Sequence, residues 1–169
     1  MALEIKGFIT NLGKYNEGEL IGEWVTFPIS AEEEAEIFER IGINEFYEEY
    51  FFTDYEYEFE ADFSEYASIA ELNEICEELE EWKNYEDEFC AATEIYDFDE
   101  AMKLSPFDCL LLTDVNDDYD LGYYYAVECD CIQLTEAVER YFNFEAYGRD
   151  IRLETNGDFT YYGYFEYLR

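Results

Sequence analysis

Three spacings in this chain match chemistry that carboxylates and thiols perform. Asp114, Asn116, Asp118 and Asp120 alternate as in a calcium loop, where oxygen ligands come from every second position. Cys129-x-Cys131 offers two thiols of the kind that hold zinc. Glu48/Glu49 and Asp117/Asp118 are neighbouring carboxylates, the groups that divide acid and nucleophile work in glycoside hydrolysis. Each fails on a particular residue. Position six of the calcium loop is Tyr119, where glycine is needed, and position twelve is Tyr125, where the bidentate Glu belongs. The chain has no His, and Cys76, Cys90 and Cys109 fall on separate predicted elements, so a zinc set stays incomplete. Among 45 Asp and Glu, adjacent pairs arise by chance, and no imidazole is present to activate a Ser or Cys. We therefore expect no catalytic residues, no metal and no cofactor.

What remains is the charge itself. From 17 to 139 only Arg40, Lys83 and Lys103 are basic, against 39 Asp and Glu. The formal net charge is −36 in 169 residues, far beyond the few units that solubility needs. Self-repulsion on that scale penalises a sphere, so an elongated series of small units is expected. An aromatic share of 21% argues for folded units and against an acidic disordered chain. Nucleic acid is a disfavoured partner, since its phosphates would be repelled; a strongly basic surface is the expected one. Five cysteines form no disulfide framework. The opening MALEIKGFI lacks a basic leader region, and no window reaches the ~20 apolar residues of a membrane span. A cytoplasmic chain with reduced thiols and no membrane partner is the expectation.

The elements that must hold these carboxylates fall into an α+β pattern of three segments. In 1–60, strands are expected at 3–11 and 19–28, joined by a turn over 13–18. Ser30 and Glu33 form a capping box that opens a helix with Ile37, Phe38 and Ile41 on its apolar stripe, and Gly42 ends it. A strand over 50–59 closes with Tyr55, Tyr57 and Phe59 alternating with Glu56 and Glu58, rings to one face and carboxylates to the other. The segment 61–104 is helical. Ser68 and Glu71 form a second box, and Leu72, Ile75, Cys76, Leu79 and Trp82 share one face. Helices at 86–95 and 98–104 follow, the second capped by Asp97 with Glu100, and Ser105-Pro106 marks a boundary. In 105–169 a buried strand at 107–112 precedes helices at 117–128 and 134–142. Strands at 151–155 and 159–165 flank Asn156-Gly157, a hairpin signal. The three segments carry −13, −13 and −10, and 140–169 is close to neutral.

Charge spread in this way has a physical counterpart. Duplex DNA carries one negative charge per about 1.7 Å of axis, so 36 charges match about 61 Å, or roughly 18 base pairs. A two-fold dimer would double that span. Carboxylates at such spacing satisfy the Lys and Arg donors that otherwise hold phosphate, and because they present no base edges they compete whatever sequence the enzyme reads. The candidates for this array are Glu32, Glu33, Glu36, Glu48, Glu49, Glu56, Glu58, Glu74, Glu77, Glu78, Glu81, Glu86, Asp87, Glu88, Asp114, Asp117, Asp118 and Asp120. An acidic binding protein or chaperone for another basic partner would carry a similar composition.

Several short runs bear a resemblance. NLGKYNEGEL at 11–20, running into Gly22, Trp24 and Phe27-Pro28-Ile29, resembles the opening of ArdA-type antirestriction proteins. So do Tyr47-Glu48-Glu49-Tyr50 with Asp54-Tyr55-Glu56, and Ala146-Tyr147-Gly148-Arg149-Asp150. The resemblance implies a DNA mimic, carried by mobile genetic elements, that blocks Type I restriction–modification enzymes by occupying the DNA groove of their methyltransferase core. It also implies an elongated, three-domain homodimer joined through its C-terminal region, with no catalytic residues to carry over.

Overall fold

Alternation sets the first sheet. Ile5 and Ile9 of β1 (Ile5–Asn11) point inward with Val25 and Phe27 of β2 (Gly22–Phe27), while Lys6, Phe8 and Trp24 point out. The computed structural model describes residues 3–169; Met1 and Ala2, the first residues of the MALEIKGFI opening, lie outside the described residues. Asn11 ends β1 and caps the helical turn α1 (Leu12–Asn16), its side-chain oxygen accepting from Lys14 N at 3.0 Å. That turn replaces the open turn expected over 13–18, because Asn11 satisfies a free N–H at the helix start. The Asn11 amide also donates to the carbonyls of Ile41 and Gly42, both at 3.1 Å. One buried side chain thus ties α1 to the end of α2 (Ala31–Ile41).

The capping box of Ser30 and Glu33 is present, and Gly42 closes α2 in the left-handed region at φ 77°. β3 (Tyr50–Glu56) pairs with β1, giving an antiparallel sheet in the order β2-β1-β3. The strand stops three residues short of the expected 59. The alternation of burial nevertheless continues through Tyr57 and Phe59, whose rings gather with Phe63 off the end of the ladder. α3 (Ile69–Leu79) starts at the expected Ser68–Glu71 box and runs into a tight 3-10 turn ending at Trp82. Asn73 of α3 grips both backbone groups of Ile29, accepting from its N–H at 2.9 Å and donating to its carbonyl at 2.8 Å. By their contacts residues 3–84 form one unit and 85–169 a second, so the stretch 61–104 is shared between them.

The second unit begins with α4 (Glu86–Ile95) and the single turn α5 (Phe98–Ala101), capped by Asp97 as expected. β4 (Cys109–Leu112) is shorter than the strand expected at 107–112, and its residues are half-buried. Pro106 starts a 3-10 turn that takes the first positions. α6 (Asp118–Tyr123) continues as a π-helical turn through Glu128. α7 (Glu136–Glu139) is one turn within the expected 134–142.

The largest correction concerns 151–155. Those residues end a helix, α8 (Phe144–Glu154), whose stripe of Phe144, Gly148 and Ile151 has helical spacing and whose start is capped by Asn143. The hairpin lies further on, between β5 (Gly157–Thr160) and β6 (Gly163–Tyr167), and turns at Tyr161-Tyr162. Asn156-Gly157 is the passage from helix to strand. The second sheet is antiparallel in the order β4-β6-β5. Its core gathers Val115, Leu121 and Tyr164, with Ile151 and Phe159 packed against them. Both units mix helices with antiparallel sheet, and the fold class is α+β.

Candidate acidic interaction surface

The carboxylates divide into those engaged locally and those that face solvent. α2 presents Glu32, Glu33 and Glu36 to solvent, but Glu33 is spent on the capping box, and Glu36 lies 3.6 Å from Arg40. Glu48 and Glu49 are exposed on the approach to β3. Glu56 is exposed and lies 3.7 Å from Lys6; Glu58 is exposed beyond the strand. α3 and its final turn are the clearest case. Leu72, Cys76, Leu79 and Trp82 are buried, and Glu74, Glu77, Glu78 and Glu81 stand on the exposed side. Those four span about 10 Å of helix, a charge every few ångströms, on the scale of the roughly 1.7 Å per charge along a duplex.

In the second unit Asp87 and Asp114 are exposed, and Glu86 and Glu88 are half-buried at the start of α4. Burial, then the neighbouring charges of Asp87 and Glu86, raises the carboxyl pKa of Glu88. The aspartates that mimic a calcium loop have local duties instead. Asp117 caps α6, accepting from Asp120 N at 2.9 Å, and Asp120 accepts from Asn116 N at 3.3 Å. Asp118 takes two hydrogen bonds from Arg152, at 2.8 and 3.1 Å, which hold its carboxyl below the ordinary carboxylate range. Among the described residues no group of three or more His, Cys, Asp or Glu is placed to hold a metal. The cysteines are thiols: Cys76 and Cys90 buried, Cys109 half-buried, Cys129 and Cys131 exposed.

The cations are the other half of the surface. Eight of the nine lie within 4.0 Å of a carboxylate: Lys6, Lys14, Arg40, Lys83, Arg140, Arg149, Arg152 and Arg169. Lys14 also sits over the Tyr47 ring at 4.5 Å. Exposed pairs of this kind add little stability. Their effect on the outward field is larger, because each positive end is cancelled where it stands. The first unit keeps −20 and the second −16.

A family model described as antirestriction protein (ArdA) matches residues 7–166. The chain belongs to the ArdA family. The match takes in all the runs that carried the resemblance, from Asn11 to Asp150. An antirestriction function goes with the family, whose description names no catalytic activity. A comparison with curated proteins found no match. Among the described residues of this ArdA member, no helix is long and apolar enough to cross a membrane.

One carboxylate of the ArdA fold differs from the rest and escaped notice in the sequence. Glu166 of β6 is buried at 8% exposure, and the Tyr125 hydroxyl donates to it at 3.2 Å. Burial raises its pKa above the ordinary value, and the Tyr125 bond only partly opposes this. The fold therefore disfavours its ionised form relative to the unfolded chain. The cost of ionising it is absent below the unfolded pKa and grows as pH rises toward the folded one. We expect Glu166→Gln to raise the melting temperature at pH 7 by about 2–4 °C, the shift given by ~1 kcal/mol in a chain this size. The gain should shrink as pH falls toward 4. Thermal melts from pH 4 to 8 check this, with exposed Glu77→Gln as a control for the loss of one carboxylate.

Proposed function

We propose that the protein is a DNA mimic that blocks Type I restriction–modification enzymes by occupying the basic DNA groove of their methyltransferase core. The observation that carries this reading is the pairing of two facts. Exposed carboxylates without local duties recur on both units, and nearly every cation is neutralised beside its own carboxylate. Such a surface offers Lys and Arg of a DNA-binding groove a negative partner wherever they fall, with no base edges to read. Membership of an antirestriction family supports the same direction. The reading includes a homodimer, an elongated three-part arrangement that spreads the charge, a cytoplasmic site of action, and inhibition of the linked methylation. Those of the 18 carboxylates named above that are exposed and free of local bonds form the array, with Glu74, Glu77, Glu78 and Glu81 as its most regular part.

Contacts of this kind act in number. An exposed ion pair is worth about 0.2–1 kcal/mol. Each of Glu74→Gln, Glu77→Gln, Glu78→Gln and Glu81→Gln should therefore weaken inhibition by no more than about fivefold, and all four together by the product. Cleavage assays with two Type I enzymes of different recognition sequence check it. Abolition by one substitution would point to a catalytic carboxylate and end this reading. Recovery of nucleoid proteins without restriction subunits in a pull-down would favour the chaperone.

A further inference from the structure

On the outward face of the first sheet, strand register sets Trp24 of β2, Phe8 of β1 and Asp54 of β3 in one row. Trp24 is 44% exposed, and its ring meets that of Phe8 edge to face, with centroids 5.5 Å apart. Gly22 makes room for the arrangement: a Cβ there would stand 2.7 Å from the Phe8 ring. Further along the same face, Phe51 is covered by Tyr15 and Tyr66. The Trp24 end has no such cover among the described residues. An exposed indole backed by a half-buried ring therefore faces outward on a unit that carries 24 acidic and 4 basic residues.

We propose that Trp24, propped by Phe8, is a stacking platform for an arginine side chain of the basic partner. This deepens the proposed function and rests on it. Indole is the best cation–π receptor among side chains. A guanidinium lies flat on a ring while its edge donates to a carboxylate; a hydrated ammonium has no such flat face. Asp54 stands two strands across from Trp24, about 10 Å at the backbone, and forms no ion pair among the described residues. Lys6, its neighbour on this face, is held by Glu56 at 3.7 Å. Asp54 accepts from Tyr55 N at 2.9 Å through one oxygen, so the row offers a π surface and a carboxylate paired with no cation to one planar cation. An apolar partner would meet one exposed ring with Asp54 in its row and the Lys6–Glu56 pair in the next, a poor match.

Nonaarginine and nonalysine serve as probes, each titrated into the full chain by calorimetry at fixed salt. Trp24→Leu keeps the apolar bulk and removes the π face. We expect it to cut the preference for arginine over lysine by about threefold, with lysine affinity unchanged. In the unaltered protein, nonaarginine should shield a tryptophan from acrylamide quenching more than nonalysine does. An unchanged preference in Trp24→Leu, equal losses for both peptides, or equal shielding by both would each overturn the platform. These outcomes separate from the larger reading. If duplex DNA competes with the protein while the preference stays unchanged, mimicry stands and the platform falls. If the preference drops and duplex DNA fails to compete, the platform stands as an arginine site and mimicry falls.

Discussion

Gly148→Ala is expected to cost about 3 kcal/mol or more, at the upper end of what an inserted methyl does to a packed interior. α6 and α8 touch backbone to backbone at this point. A Cβ on Gly148 would fall on the carbonyl oxygen of Asp118 and stand 2.6 Å from Gly122 N. A Cβ on Gly122 would fall in turn on the carbonyl of Phe144. Neither obstacle is a flexible side chain, so the helices must separate. Separation draws Arg152 away from Asp118 and loosens Leu121 and Phe144, both buried at this crossing. Urea unfolding followed by far-ultraviolet circular dichroism measures the loss. Ala146→Gly, on the same helix, should cost only about 1 kcal/mol. A loss below ~1 kcal/mol for Gly148→Ala would mean that the helices do not meet as described.

Trp82→Ala should cost about 3–5 kcal/mol, the range for removing a buried aromatic side chain. Trp82 is 2% exposed and is the largest fully buried side chain among the described residues. It closes the face begun by Leu72, Cys76 and Leu79, on the far side of the helix from Glu74, Glu77, Glu78 and Glu81. The same element that buries the ring thus holds the carboxylate row in place. Urea midpoints read from Trp24 emission quantify the loss, and inhibition should disappear at temperatures where this unit melts. An unchanged midpoint would contradict the burial of Trp82.

Much of this was legible because the signals are local. Ser30 with Glu33, Ser68 with Glu71, Gly42 and Asp97 each specify a helix end through their own hydrogen bonds or φ, and each stands where the spacing put it. The stripe from Leu72 to Trp82 is equally direct. Residues 151–155 alternate in type, and a five-residue window of that kind fits strand and helix alike. What decides them is the contact of Gly148 with α6, a tertiary fact absent from the window. Asn156-Gly157 carries a hairpin signal in isolation, yet the chain turns at Tyr161-Tyr162 instead. Asn11 looked like a strand end, and only the fold brings Ile41 and Gly42 to its amide. On the surface, composition announced the carboxylates but not which were engaged. Asp117, Asp118 and Asp120 proved to be bound up in starting and fastening α6. Glu166 and Trp24 lacked any sequence signal, since burial of the one and exposure of the other depend on the sheets.

If these carboxylates stand in for phosphate, the protein and duplex DNA must compete for one groove. A fluorescent duplex is bound to a purified Type I methyltransferase core and the protein is titrated in. The duplex should be displaced regardless of its sequence outside the recognition site. Excess duplex should restore binding, and affinity for the protein should fall steeply with salt, as it does for DNA. Simultaneous binding of protein and duplex to one core, with neither weakening the other, would contradict mimicry.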